Sequence, residues 1–346
     1  MQATTEFSFF EEKRNGAMSL VWPARRVGSM AKGLLATTGF SGKVLAVLSA
    51  TIYFARMDGE ILWMSWGEVP MHRRCVLTSF QPDSIRVGQS FFAQGPFLKF
   101  GDGTVIDLSQ AEEWTSSVVR PKYAESLTVV NVCTRRLLEA TTKLGNAKGF
   151  GQIIPLISSL IDGNRQAISK ADPLLAKARN SILDLATACF NFDMAEVARI
   201  GKELVGLGPG LTPSGDDFLG GLLFAAHSLK TAYPQDFNWE EEPVTDLIDW
   251  ASTQTHPISQ AILRDHASGH GPEPLHEVVT SLLKGENLDH TMVEVTRLIE
   301  IGDTSGWDIM AGMLTGMLFV EGKLSALPAR PLPFEAVSQS QAKGER

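Results

Sequence analysis

The sequence predicts an α+β protein, with a β-rich N-terminal domain (a small antiparallel barrel or sandwich) followed by a larger all-helical domain. Two observations carry this prediction. Up to about residue 114, short apolar runs alternate with glycine-containing turn signals, a spacing typical of small barrels and sandwiches. After that point, apolar residues recur every three or four positions, which is the period of helices packed on one face.

The β-rich part contains seven candidate strands, at 43–50, 51–56, 60–66, 75–80, 84–92, 97–100 and 105–108. Asp58-Gly59 lies between two of them and is a strong hairpin signal, and the Gly-Asp-Gly-Thr stretch at 101–104 predicts a second hairpin. We expect the aromatic residues here to form the core, with ligand stacking as an alternative for the two tryptophans; they are Trp63, Trp66, Phe91, Phe92, Phe97 and Phe100.

The helical part contains ten candidate helices, at 123–144, 151–161, 173–190, 194–205, 218–230, 244–252, 258–267, 275–284, 290–300 and 307–320. We therefore divide the chain into a flexible N-terminus at 1–18, a β-rich domain at 19–118, a helical domain at 119–325 and a loosely ordered tail at 326–346.

Composition narrows the class of protein. A formal net charge of −8 disfavours a general binder of nucleic acid or anionic membranes. The three cysteines are widely spaced without a CxxC pair, so we expect a reducing cytoplasm. The longest apolar stretches, 218–226 and 309–320, are shorter than the roughly 20 residues that span a membrane. The arginine pairs at 25–26, 73–74 and 135–136 are expected on solvated faces, where one of them is a candidate cation for an anionic substrate.

The stretch from Gly206 to Gly221 carries the densest chemical signal. Thr212 and Pro213 mark the start of a helix. Ser214 and Asp217, three residues apart, resemble a capping box with a shortened acid. A glycine-rich loop that leads into a helix N-terminus favours an anion, because free N–H groups and the helix dipole meet there. The predicted anion-binding residues of the loop are Gly208, Gly210, Thr212 and Gly215.

The loop has no lysine after its last glycine and is not a Walker A motif. Asp216 and Asp217 would repel a phosphate unless a cation such as Mg²⁺ or an arginine intervened. Two possibilities therefore stay open. Either the aspartates hold a metal that bridges to an anion, or a carboxylate pair positions a polar substrate. No cofactor is certain, and Mg²⁺ is a possible one.

A second segment resembles the first. Residues 303–316 share Ser-Gly-x-Asp with the motif and then place Gly and Leu at the same offsets, so that Ser305, Gly306, Asp308, Gly312 and Leu314 match their counterparts. Both segments continue as apolar helices with small residues. We expect the two helices to pack together with their N-termini facing one pocket; chance similarity between two capped helices is the alternative.

Histidines offer weaker signals. His266 and His270 stand four apart, but the glycines that flank His270 and the lack of a carboxylate pair at ligand spacing disfavour a metal site. His256, before Pro257, is expected to cap a helix, with general-base catalysis as the alternative. His227 is expected in the core.

The motif Gly-x-Gly-Pro-Gly-Leu-Thr-Pro-Ser-Gly-Asp-Asp at 206–217, with Ser-Gly-Trp-Asp at 305–308, resembles a bacterial family formerly known only as a domain of unknown function. That family includes a subunit of oxamate carbamoyltransferase, from anaerobic allantoin degradation. The resemblance extends over about residues 20–325. The Thr255-His-Pro-Ile-Ser259 segment is similar to a further element of the family.

The resemblance implies a carbamoyltransferase subunit for oxamate or oxalurate and carbamoyl phosphate in purine catabolism, with other protein subunits as partners. From the residues, the catalytic candidates are Ser214, Asp216, Asp217, Ser305 and Asp308, and further substrate-binding candidates are Thr255, Ser259, Gly306 and Trp307. Asp216 and Asp217 are also the candidate metal ligands. The alternatives are a non-catalytic assembly subunit, or a metal-dependent enzyme for another small phosphorylated or carboxylate substrate.

Overall fold

A computed structural model describes residues 21–37, 40–116, 118–161 and 173–326 of the chain. The predicted flexible N-terminus, 1–18, and nearly all of the predicted tail, 327–346, lie outside the described residues. The rest confirms the α+β prediction: a β-barrel is followed by a helical region.

The barrel is closed by eight strands, and a ninth is attached outside the circle. They are β1 (Val21–Gly28), β2 (Ser41–Val47), β3 (Thr51–Arg56), β4 (Ile61–Trp66), β5 (Cys75–Thr78), β6 (Ser90–Gln94), β7 (Phe97–Phe100), β8 (Val105–Asp107) and β9 (Glu112–Trp114). The order is β5-β4-β3-β2-β6-β7-β8-β1, and β1 pairs back onto β5 to close the circle.

The expectation of an antiparallel barrel is only partly right. Hairpins β3–β4 and β7–β8 form at the predicted turns, where Gly59 and Gly103 adopt φ of 93° and 92°. However, β1 runs parallel to β8 and β9, and β4 runs parallel to β5. Local turn signals predict hairpins, but they carry no information on pairs of strands that are distant in sequence. A short helix, α1 (Ser29–Leu35), which was not predicted, lies within the β-rich domain.

Half of the predicted core aromatics belong to the apolar cluster inside the barrel. Phe91 and Phe100 are buried and pack against Phe54, with ring centroids 4.8 and 6.2 Å from it, and Trp66 packs against the same cluster. Trp63, Phe92 and Phe97 do not belong to this cluster, because neighbouring residues of a strand point to opposite faces. The side chain of Phe92 is exposed on the outside of the barrel.

The helical region comprises α2 (Leu127–Lys143), α3 (Ile154–Ile161), α4 (Pro173–Phe190), α5 (Met194–Gly201), α6 (Ser214–Ala232), α7 (Glu242–Gln254), α8 (Pro257–Ala267), α9 (Glu273–Leu283), α10 (Leu288–Ile299), α11 (Ser305–Gly316) and α12 (Leu318–Ser325). The predicted helix at 307–320 is divided at Met317 into α11 and α12. Helices α6 and α11 are buried along nearly all of their length, so they form the centre of this region. None of the described helices is long and apolar enough to cross a membrane.

A buried ionic cluster joins the barrel to α8. Asp265 is fully buried and accepts hydrogen bonds from both Arg73 and Arg74, with Arg74 Nε and Nη2 at 2.6 and 2.7 Å. Arg74 also donates to Glu60, which pairs in turn with Arg264. The expectation that the 73–74 arginine pair is solvated was therefore wrong, since Arg74 has no exposed surface. Two adjacent arginines are expected at the surface when only the neighbouring sequence is considered. Their buried partner, Asp265, is distant in the chain and could not be anticipated.

Candidate functional site

The centre of the helical region is a crossing of α6 and α11 through glycine. A β-carbon at Gly221 would lie less than 3.0 Å from the carbonyl oxygen of Ile309, and one at Gly312 would lie equally close to the carbonyl oxygen of Phe218. Gly221 and Gly312 occupy corresponding positions of the two similar segments, as do Phe218 and Ile309. The two helices therefore contact each other with approximate two-fold symmetry.

The same symmetry brings the two N-termini together. The Ser305 hydroxyl of α11 faces the Asp217 carboxyl of α6, and the Ser214 hydroxyl of α6 faces the Asp308 carboxyl of α11. Thr212 Oγ1 lies 3.2 Å from Ser305 Oγ. The prediction that the two segments pack against each other, with their N-termini together, is therefore confirmed.

The predicted capping box is wrong. Pro213 is the N-cap of α6, and its carbonyl oxygen accepts from the backbone N–H groups of Asp216 and Asp217 at 2.9 and 3.1 Å. Ser214 is already the first helical residue, so its hydroxyl is directed to the other helix instead of capping its own. The N–H of Gly215 donates to Leu207 at 2.9 Å, so these three N–H groups have protein acceptors.

Asp216 fixes the glycine-rich loop to the start of α8. Its Oδ1 accepts from the Gly206 N–H at 2.7 Å, and its Oδ2 accepts from the hydroxyls of Ser259, at 2.6 Å, and Thr255. The predicted site residues Thr255 and Ser259 therefore do reach the motif. Both carboxylate oxygens of Asp216 are occupied by these donors, so the side chain serves to position the loop.

Asp217 and Asp308 differ from Asp216 in their hydrogen bonding. Each side chain is at most 4% exposed, and Oδ2 of each is buried without a hydrogen-bond partner among the residues that the structure describes. Burial raises the pKa of Asp217 well above its usual range, and the charges of Asp308 and Asp216 raise it further. Burial also raises the pKa of Asp308 to about 6, against hydrogen bonds from Phe150, Thr304 and Ser214. Burial thus disfavours the charged form of both carboxyls, each of which stands at the N-terminus of its helix.

A comparison with known protein families matches the part of the chain that contains α6 and α11. Residues 204–317 match the family described as oxamate carbamoyltransferase subunit AllH. This AllH segment runs from the residues before the glycine-rich loop through α11, so it contains both N-termini, Asp216 and its α8 partners. The resemblance inferred from the motif is confirmed by this match. No solved structure matches the chain.

Within the AllH segment, several predicted binding residues have packing roles. A β-carbon at Gly215 would lie less than 3.0 Å from the Leu204 carbonyl oxygen, and one at Gly306 would meet that of Leu298 in the same way. Trp307 is buried against Gly151. By contrast, Gly208 and Gly210 adopt φ of 131° and 92°, and no atom of the described residues lies within 4 Å of a β-carbon at Gly210. Among those residues, none therefore closes the side of the loop at Gly210.

Two contributors to the site lie outside the AllH segment and were missed from the sequence. The first is the 3-10 segment Gly149–Ile153, where the Phe150 N–H donates to Asp308 Oδ1 at 2.6 Å. Gly149, with φ of 51°, leaves room for that carboxyl, since a β-carbon there would lie less than 3.0 Å from Asp308 Oδ1. The Gly-Phe-Gly pattern at 149–151 could have indicated this segment, but by itself it predicts only an ordinary break between helices.

The second contributor is Tyr53 of strand β3. Burial raises the pKa of its phenol, and the charge of Asp217 raises it further, so the barrel wall and the α6 N-terminus share one electrostatic environment. Tyr53 and Leu211 of the glycine-rich loop pack on the same apolar cluster, which contains Ile258 and Ala261 of α8. Nothing in the local sequence of β3 indicates this proximity.

The residues do not fit the predicted Mg²⁺ site. The oxygens of Asp216 already accept three hydrogen bonds, and burial disfavours the charged form of Asp217 that a divalent cation would bind. Among the described residues, no three His, Cys, Asp or Glu side chains are grouped to hold a metal ion.

The expected capping role is confirmed for one of the four histidines. His256 caps α8, with its Nδ1 accepting from the Ile258 N–H at 3.2 Å. His266 is buried against Gly220 and Phe224, and burial lowers its pKa to about 4. His270 lies 3.5 Å from the Ser116 hydroxyl. His227 is half-buried rather than in the core.

Proposed function

We propose that this chain is a subunit of a carbamoyltransferase that uses oxamate or oxalurate with carbamoyl phosphate or phosphate, and that the reacting groups bind where the N-termini of α6 and α11 meet. The family match of the AllH segment supports the reaction class. The observation that carries the location is the pair of buried carboxyls, Asp217 and Asp308, each with an unpartnered Oδ2.

A purely structural role does not account for this pair. A buried carboxyl oxygen without a partner costs about 1–3 kcal/mol, and neither carboxyl caps its helix, because the N-caps are Pro213 and Thr304. Strongly perturbed carboxyls in a protein interior are more often found at sites of chemistry. The two Oδ2 atoms are acceptors for the N–H groups of an amide, and the hydroxyls of Ser214, Ser305 and Thr212 are donors for its oxygen.

Carbamoyl transfer needs both an acid and a base. The amide nitrogen of oxamate forms a bond to the carbonyl carbon of carbamoyl phosphate, the C–O bond to phosphate breaks, and the nitrogen loses a proton. We assign the acceptance of that proton to Asp308, which is mostly ionised at neutral pH. Asp217, whose pKa burial raises well above its usual range, donates a proton to the departing phosphate oxygen. Cleavage of oxalurate by phosphate uses the same two groups in reverse.

The test is steady-state kinetics of the enzyme assembled with its partner subunits, comparing Asp217→Asn, Asp308→Asn and the control Asp303→Asn. Asp303 precedes α11, and its side chain is 87% exposed. We expect each of the first two variants to lower kcat by about 10²–10⁴-fold, as for loss of a general acid or base. The control should stay near wild type. Retention of kcat by Asp217→Asn in a folded, assembled enzyme would refute the assignment.

A second candidate function is a non-catalytic assembly subunit. It is favoured by the packing roles of Gly215, Gly221, Gly306 and Gly312 and by the saturated hydrogen bonds of Asp216. In this case Asp217→Asn changes the yield of the assembled enzyme but leaves kcat per complex unchanged. Measurement of complex stoichiometry beside kcat separates the two functions.

A further inference from the structure

A cleft of about 420 Å³ lies between α6, α7 and α8, away from the residues of the proposed catalytic site. We call it the α7 cleft. Its wall is mainly apolar, formed by Leu223, Ala226, Val244 and Ile248, with the half-buried Trp239 beside them. The neighbouring histidine, His227, has a pKa lowered by burial, so it contributes no positive charge at neutral pH.

The two cations on the rim already have partners. Lys230 Nζ donates to the Trp239 carbonyl oxygen at 3.1 Å and to Glu241 at 2.9 Å. Arg264 pairs with Glu60 of the barrel at 3.0 and 3.1 Å. Asp249, which also lines the cleft, forms no ion pair with any of the described residues. Asp249 is therefore the charged group of the rim that has no ion pair among the described residues.

That charge continues along the solvent face of α7. Glu242, Asp246 and Asp249 are exposed and spaced by four and three residues, which places them in one stripe along the helix. Within the ranges that the structure describes, none of them has a cationic partner. Of the three, only Asp249 lines the cleft; the other two lie beside it.

We propose that the α7 cleft is a docking surface for a basic amphipathic helix of a partner protein. Apolar side chains of that helix enter the cleft, and its lysines or arginines lie over the acidic stripe. A small molecule held in the cleft would leave Glu242 and Asp246 unmatched, so charge complementarity favours a helix.

The probe is a labelled 18-residue peptide with leucine at helical i, i+3, i+4 and i+7 spacing and lysine elsewhere, titrated against the full chain by fluorescence anisotropy. We expect saturable binding that weakens at high salt. The double variant Asp246→Lys/Asp249→Lys should bind at least tenfold more weakly. Thr245→Trp, which fills the cleft without changing charge, should weaken binding to a similar degree, because Thr245 is exposed and lines it.

Two matched controls separate docking from general attraction. Glu68→Lys/Asp83→Lys makes the same change in charge on exposed barrel residues, and Thr253→Trp adds the same bulk to α7 outside the cleft. Both should bind like wild type. No binding to wild type, equal binding to all variants, or equal binding of a leucine/glutamate peptide overturns the proposal. A wild-type homodimer that Thr245→Trp dissociates, seen by light scattering, also overturns it, because a second copy would then fill the cleft.

Discussion

Gly312 of α11 packs so closely on the carbonyl oxygen of Phe218 in α6 that no side chain fits between the two helices. The corresponding contact of Gly221 with Ile309 repeats this on the other side of the crossing. Since backbone atoms oppose both glycines, a larger residue can be accepted only if the helices separate. That separation would move the N-termini that carry Asp217 and Asp308.

We therefore expect Gly312→Ala to destabilise the protein by about 1–3 kcal/mol or more, through overpacking of a fixed interface. The matched control is Gly33→Ala in α1, where no atom lies within 4 Å of the added β-carbon. There, alanine should stabilise the helix by about 0.5–1 kcal/mol. Urea unfolding measures both. A loss of stability of equal size in the two variants would show that the crossing is not the cause.

Asp308 should make the free energy of unfolding depend on pH. Its pKa is about 6 in the folded protein against an ordinary 3.8, so the folded state holds the proton longer than the unfolded state does. The stabilisation is then complete below about pH 4 and is lost as pH rises through 6. The full difference is on the order of 3 kcal/mol. Urea unfolding at pH 4 to 7 should show this decline in wild type relative to Asp308→Asn. A constant difference between the two proteins would contradict the raised pKa.

Asp265 should make the free energy of unfolding depend on pH in the opposite direction, with stability lost as the pH falls. Burial alone would raise its pKa, but Arg73 and Arg74 outweigh this and hold the pKa well below its usual range. Its contribution is present above the ordinary value of 3.8 and is lost as pH falls through the folded value. Asp265→Asn leaves Arg74 buried with less compensation, so we expect a loss of about 3–5 kcal/mol in thermal or urea unfolding at pH 7.

The control for Asp265 is Asp58→Asn, which breaks the more exposed pair with Arg56. Exposed pairs contribute about 0–1 kcal/mol, so this variant should unfold close to wild type. If Asp265→Asn were equally mild, the ionic cluster would not be what joins the barrel to α8.

Gly149 should control the position of Asp308. Both Gly149 and Gly145 have positive φ, at 51° and 70°, so alanine at either position costs about 1–2 kcal/mol of backbone strain. Only Gly149→Ala also directs a β-carbon at the Asp308 carboxyl. We expect it alone to abolish the pH dependence assigned to Asp308 and to lower kcat of the assembled enzyme. Unchanged kinetics in Gly149→Ala would remove the 3-10 segment from the site.

The elements that sequence reasoning predicted correctly depend on short-range rules. The hairpin at Asp58-Gly59 formed because a short turn that ends in a glycine with positive φ is a local preference. The start of α6 beside Pro213 follows from a local preference as well. The pairing of α6 with α11 could be anticipated only because the two segments resemble each other at matching positions.

The sequence by itself therefore determined the order of barrel and helices, the family resemblance and the identity of the motif residues, because each depends on neighbouring residues or on a pattern within the chain. Only the tertiary structure decided what those residues do. Asp216 and Asp217 are adjacent and chemically identical. One receives donors from Gly206, Thr255 and Ser259, while the other is buried beside Asp308 with an oxygen left free. The environment of a carboxyl is set by groups distant in the chain, so folding alone separates the positioning aspartate from the candidate acid.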